Sequence, residues 1–225
     1  MYPRLVHLDG QKQFRIIPSV YPPINPFETI VDPSEMEALW KIESLTNERL
    51  RQEMGDITLV PAEDCIHGPG SSVVMAAFTH LSKPTRFSDG SYGIYYAGLS
   101  KTTAIIETIY HREQFLQATN EKPGELTMRL YEGKIMKPLH DIRGAKFSAL
   151  HHPSYYVGSQ KFGRQLRSQN SWGLLYNSVR DEDGHCIAIF RPPAISIPKQ
   201  TLHLKYIWDG QRITEVLGTQ SILSL

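Results

Sequence analysis

Arg86, Glu107 and the tyrosine pair Tyr95 and Tyr96 fall within one short stretch, TRFSDGSYGIYYAGLSKTTAIIETIYHRE, spanning residues 85–113. Arg86 supplies a permanently charged planar fork that suits a phosphate or a carboxylate, gripped by two parallel hydrogen bonds. On residue type alone, a surface ion pair would satisfy it as well. Tyr95 and Tyr96 are neighbours in the strand-like run GIYYAG, so their rings leave opposite sides. One can fill a core while the other faces a ligand, and alternation does not say which. Glu107 lies about two turns inside a helix that Ser100 opens, among Ala104, Ile105, Ile106 and Ile109, where a carboxylate is out of keeping with its neighbours. An ion pair with Arg112 or Lys101 is the ordinary alternative, although neither stands at the best helical spacing. Further on, Asn177 and Ser178 stand shortly before DEDG, where both residue types also serve turns.

These groups need elements to hold them. Residues 1–33 carry Pro3, Pro18, Pro22, Pro23, Pro26 and Pro33 around a short strand signal, QFRIIPSVY, which reads as extended chain wrapped on a core. DPSEMEALWKIESLTNERLRQEMG (32–55) has a capping Asp32 or Ser34, Pro33 in the first turn, partial amphipathy and a terminating Gly55, the pattern of a packed surface helix. HGPGSSVVMAAFTHL passes from a glycine loop into an apolar run. GIYYAG reads as a strand ending at Gly98, and KTTAIIETIYHREQFLQ as a helix capped by Ser100. GELTMRLYEGKI alternates Leu126, Met128 and Leu130 with polar residues, as a half-buried strand does, and SQKFGRQLRSQ reads as a short helix. WGLLYNSVR and HCIAIF flank DEDG, and TLHLKYIW and RITEV flank DGQ; both pairs read as hairpins.

The expected architecture is therefore a single α+β domain, with an antiparallel-rich mixed sheet and flanking helices. Its length of 225 residues and 40% hydrophobic content allow a sizeable core. With 24 basic against 23 acidic residues, a net charge of +1 and no basic block, direct nucleic-acid binding is not expected. No apolar run is long enough for a membrane span and no secretory leader is evident, so a cytoplasmic protein is expected. Cys65 and Cys186 are the only cysteines; far apart and outside any paired spacing, they read as core residues in a reducing compartment. HGPGSS resembles a phosphate-cradling loop only superficially, because Pro69 removes a donor and no Gly-Lys-Ser follows. The His151–His152 pair lacks metal-site spacing, so no metal is expected.

Taken in order, RFSDGSYGIYYAG, TAIIETIYHRE and YNSVR ahead of CIAIF resemble the RES-domain family, the toxin half of bacterial toxin–antitoxin pairs. The likeness runs from about FRIIPS to the final hairpin, and HGPGSSVVMAAFTHL is similar to the family's longer members. It implies a fold similar to ADP-ribosyltransferase toxins. It divides the chain into an N-terminal segment and helix (1–60) packed on a catalytic region (61–225), within one structural domain.

The resemblance also implies an enzyme that destroys NAD by cleaving the nicotinamide–ribose bond. Arg86 would bind the phosphates, Tyr96 would orient the nicotinamide end, and Glu107 would engage the ribose hydroxyls and the developing cation. Ser178 would hydrogen-bond the phosphate or ribose, with Asn177 assisting. NAD is then a substrate, and no further cofactor or metal is required, because nicotinamide departs neutral. Water or inorganic phosphate is the expected acceptor. A mono-ADP-ribosyltransferase acting on a cellular protein is the alternative, followed by an inactive binding module. The partner implied is a helix-turn-helix antitoxin of Xre type that blocks the active site; assembly into a homo-oligomer stays open.

Overall fold

The computed structural model describes residues 2–20, 55–81 and 83–219. The expected helix at 32–55 lies outside the described residues except for its terminating Gly55, which adopts a left-handed φ of 68°. Nine strands form one sheet: β1 (Arg4–Val6), β2 (Lys12–Pro18), β3 (Tyr95–Gly98), β4 (Gly124–Lys134), β5 (Leu139–Asp141), β6 (Gly173–Asn177), β7 (His185–Ile189), β8 (Lys199–Trp208) and β9 (Ile213–Thr219). Their spatial order is β1-β5-β6-β7-β3-β2-β4-β8-β9, and every pairing is antiparallel except β5 with β6. Among the described residues the α-helices are α1 (Ser71–Thr79), α2 (Lys101–Ala118) and α3 (Val157–Ser168). The α+β class, the antiparallel-rich sheet and both hairpins are those expected. None of these helices is long and apolar enough to cross a membrane.

Period-two alternation sorts the side chains of the central strands onto two faces. Tyr95, Ala97, Leu175, Ile187 and Ile189 pack with Val74, Met75 and Phe78 of α1. Tyr96, Leu174, Tyr176, Cys186 and Ala188 point the other way, toward Phe87, Phe147 and Leu166 of α3. Phe14 and Ile16 of β2 share a cluster with Ala104, Ile105, Ile109 and Leu116 of α2. Phe14 pairs with Gly98, which puts α2 on the same side of the sheet as α3.

Two local features fix α2. The Ser100 hydroxyl accepts the Thr103 N–H at 2.9 Å, closing the first turn as its sequence position suggests. Gly98 leaves no room for a side chain, since a Cβ there would stand 2.7 Å from the Ala104 nitrogen. The strand end and the first helical turn are thus in backbone contact.

Two elements differ from expectation. Residues 12–18 do not simply wrap on the core: β2 lies inside the sheet between β3 and β4, paired with β4 over seven residues. β4 is more than half-buried, because Met128, Arg129, Leu130 and Tyr131 are all buried, so both of its faces are covered there.

Candidate active site

The constellation begins at the loop before β3, where Phe87 is completely buried in the cluster beneath α3. Burial of such a ring contributes about 1.5–3 kcal/mol, enough to hold its neighbour Arg86 in place. Gln160 of α3 donates to the Thr85 carbonyl at 2.9 Å, pinning the loop from the other side. Arg86 then lies over the Tyr156 ring, 4.7 Å from its centroid, and donates from Nη1 to the His152 carbonyl at 2.7 Å and the Leu150 carbonyl at 3.5 Å. Among the described residues no carboxylate pairs with it, so the ion-pair alternative does not hold.

The two tyrosines separate cleanly. Tyr95 is completely buried on the α1 face, where its hydroxyl donates to Gln13 Oε1 at 3.1 Å and Arg15 covers its ring. Tyr96 lies on the Arg86 face, half-buried, and its hydroxyl meets Thr85 Oγ1 at 2.9 Å and accepts the Phe87 N–H at 3.1 Å. Burial pushes its pKa up to about 12, against the opposing pull of these bonds and of the Arg86 charge. The phenol is therefore protonated at neutral pH.

Glu107 projects from the second turn of α2 toward the end of β6. Its Oε1 accepts the Ser178 hydroxyl at 2.6 Å, and the Cys186 thiol is 4.0 Å away. Neither expected cation neutralises it: Lys101 sits over the Phe14 ring and Arg112 over the Phe115 ring. Burial, followed by the Glu107 charge, pushes the Cys186 thiol well above its ordinary range, so it acts as an apolar core group. Buried Tyr176, on the same sheet face, is likewise raised, first by burial and then by Cys186 and Glu107.

Ser178 is 8% exposed and its hydroxyl is fully committed. It donates to Glu107 and accepts the N–H groups of Arg180 at 3.1 Å and Asp181 at 2.9 Å. The turn reading of this residue therefore holds, and the same hydroxyl also reaches Glu107. The structure directs its proton to the carboxylate, whereas the sequence pointed it at a ligand phosphate or ribose. Asp181 continues the chain of bonds by accepting from Thr103 Oγ1 at 2.7 Å, which ties the turn back to the start of α2.

Asn177 stands apart. Its amide donates to the Arg143 carbonyl at 3.0 Å, and its backbone N–H reaches His151 Nε2 at 3.3 Å. It straps the segment after β5 to β6 and is not brought to Glu107. The sequence gives His151 no role beyond its lack of metal-site spacing. Its Nδ1 meets the Phe147 carbonyl at 3.1 Å, so the two contacts together require a neutral ring protonated at Nδ1. Burial lowers its pKa, the Phe147 bond opposes this, and Arg86 lowers it further.

His111 lies one turn beyond Glu107 on α2. Its pKa is lowered first by desolvation, with Glu107 opposing and Arg112, Arg180 and Arg86 adding to the lowering. A helical i, i+4 spacing from Glu107 was the available signal. A concavity of about 180 Å³, bounded by Val60, Asp64, Phe78, Gly93, Arg167 and Arg191, shares no lining residue with this constellation. Among the described residues no three histidine, cysteine, aspartate or glutamate side chains group as metal ligands.

The constellation can thus offer a protonated phenol and, among the described residues, a guanidinium free of carboxylate partners and a carboxylate that accepts a serine hydroxyl without a lysine or arginine partner. Comparison with known proteins places it in context. The chain is 29% identical over 203 residues to the uncharacterized protein y4oC of Sinorhizobium fredii (strain NBRC 101917 / NGR234), covering 89% of this chain and 84% of that relative. Among solved structures, the M. tuberculosis MbcT–MbcA toxin–antitoxin complex aligns over 51% of this chain and 67% of that one, at 10% identity and a TM-score of 0.39. The RES domain sequence pattern matches residues 63–209, which include all five predicted site residues and the sheet from β3 to β8. By that match, the chain belongs to the RES-domain family.

Proposed function

We propose that this protein is the toxin of a toxin–antitoxin pair and destroys NAD by cleaving the bond between nicotinamide and ribose. The observation that carries this reading is the Glu107–Ser178 bond: a carboxylate without a lysine or arginine partner among the described residues, held at 2.6 Å by a buried hydroxyl. It stands on the same side of the sheet as Tyr96 and Arg86. Membership in the RES-domain family supports the toxin assignment.

As the bond breaks, its electron pair goes to the pyridinium nitrogen, so nicotinamide leaves neutral and positive charge develops on the ribose. A preoriented carboxylate stabilises that charge without reorganising. Glu107 takes this role, and Ser178 fixes its orientation as a positioning residue. Arg86 holds a phosphate of the substrate, and Tyr96, with its hydroxyl secured by Thr85 and Phe87, orients the nicotinamide end. Water or phosphate then adds an oxygen to the ribose carbon and loses a proton.

A protein that consumed free NAD unchecked would arrest its own cell, so we assign it a neutralising partner that covers this site. The family resemblance points to a helix-turn-helix antitoxin. The test is incubation of purified protein with NAD, with and without phosphate or a cell extract. Release of nicotinamide together with ADP-ribose or its phosphorylated form supports the reading. Label on protein instead would convert it to ADP-ribosyl transfer, and no nicotinamide release would overturn it.

A further inference from the structure

Arg180 does for the turn after β6 what Arg86 does for the loop before β3. Its backbone N–H is bound to the Ser178 hydroxyl, one bond removed from Glu107. Its guanidinium stacks on Tyr110, 3.5 Å from the ring centroid, and Tyr110 stands three residues beyond Glu107 on α2. From there Nη2 donates to the Pro153 carbonyl at 2.8 Å. Arg86 donates to the carbonyls of Leu150 and His152. Two guanidiniums, one from the loop before β3 and one from the turn after β6, therefore converge on one backbone segment, residues 150–153.

The chemistry of this convergence is specific. Both arginines are held by neutral carbonyls, and among the described residues neither pairs with a carboxylate. Each uses only one nitrogen of its fork, whereas a guanidinium offers five N–H groups. Phosphate oxygens are stronger acceptors than carbonyls, particularly when gripped by two parallel bonds. The segment that presents these carbonyls is shaped locally: His152 Nδ1 accepts the N–H groups of Ser154 and Tyr155 at 3.2 and 2.9 Å, and Tyr156 donates its hydroxyl to the Pro153 carbonyl at 3.0 Å.

We propose that Arg180 is a second phosphate-binding residue, paired with Arg86 over the segment 150–153, and that the pair selects a ligand with two linked phosphates. This rests on the NAD reading above and adds to it the residue that grips the second phosphate. On binding, each guanidinium exchanges a carbonyl of residues 150–153 for a phosphate oxygen. The Tyr110 ring keeps Arg180 extended in place, so little side-chain freedom is lost in the exchange.

Calorimetric titration tests the pairing with ADP-ribose, which carries the diphosphate, and nicotinamide riboside, which carries no phosphate. Arg180→Ala is expected to weaken ADP-ribose binding roughly 10- to 100-fold and to leave nicotinamide riboside within about threefold of wild type. Arg180→Lys, which retains the charge and loses the fork, should fall between wild type and Arg180→Ala. Unchanged ADP-ribose affinity in Arg180→Ala would overturn the proposal, as would an equal loss for both ligands, which would make Arg180 a structural strap. Wild-type protein that binds neither NAD nor ADP-ribose would instead overturn the NAD reading on which the pairing rests.

Discussion

Replacing Ser178 by alanine separates two roles that the hydroxyl performs at once. Its proton goes to Glu107 at 2.6 Å, and its lone pairs accept two backbone N–H groups at 3.1 and 2.9 Å. A hydrogen bond to a charged group contributes about 1.5–3 kcal/mol. If that energy orients Glu107 for the developing cation, its loss lowers kcat about 10- to 150-fold, at 1.36 kcal/mol per factor of ten. NAD affinity should stay within about threefold of wild type, because the hydroxyl spends its proton on the enzyme and not on the substrate. The two N–H groups lose their acceptor, which costs a further 1–3 kcal/mol or so and lowers Tm by about 2–12 °C in a chain of this size. The assay is nicotinamide release under saturating NAD, with calorimetric titration of ADP-ribose and a thermal scan on the same sample. A folded Ser178→Ala protein with wild-type kcat would refute the positioning role. A tenfold or larger loss of ADP-ribose affinity at unchanged kcat would return Ser178 to direct phosphate contact, as the sequence first suggested.

Glu107→Gln preserves shape and removes charge, so it should retain NAD binding and lose turnover by on the order of a hundredfold or more. Expression of the wild-type chain alone should deplete cellular NAD and stop growth, and the same substitution should relieve both; normal growth with abundant folded wild-type protein would sink the toxin reading. Arg86→Ala should weaken ADP-ribose binding by roughly 10- to 100-fold, read by calorimetry, and unchanged affinity would confine Arg86 to holding the 150–152 carbonyls. The His151 pKa lies below its unfolded value, so its contribution to stability is complete above the unfolded pKa and is lost as pH falls through the folded one. Thermal melts at successively lower pH should therefore show a shallower loss of Tm for His151→Gln than for wild type, and superimposable slopes would refute the neutral-ring assignment.

The elements that carry a periodic or punctuated signal were legible in the sequence. Ser100 closes the first turn of α2 as a capping serine should, Gly98 ends β3, and DEDG and DGQ turn their hairpins. Arg86, Glu107 and Ser178 were legible as a set because they sit in ordered motifs, although each taken alone had an ordinary explanation. Which tyrosine faces them was not legible. Strand alternation fixes only that Tyr95 and Tyr96 oppose each other, and the choice follows from which helix covers which face. The partners of Arg86 and Arg180 were hidden for a different reason. They are main-chain carbonyls of residues 150, 152 and 153, and a carbonyl leaves no mark in the residue alphabet. The placement of β2 inside the sheet was hidden because a seven-residue strand gives no local sign of the neighbours it will pair with.

The contact at Gly98 bears on how freely this sequence can drift. Tyr96 lies two positions before that glycine and Glu107 nine positions after it, on either side of a point where main chain rests on main chain. The spacing between phenol and carboxylate is therefore gauged by peptide geometry and hardly at all by the bulk of the surrounding apolar side chains. Apolar positions in the clusters beneath α2 and α3 can exchange one side chain for another of similar volume and leave that gauge unread. A single methyl group at position 98 would reset it, because the helix would have to lift away from the strand to admit the new atom. The spacing between Tyr96 and Glu107 is thus robust to wide change in the core and fragile at one residue that has no side chain at all.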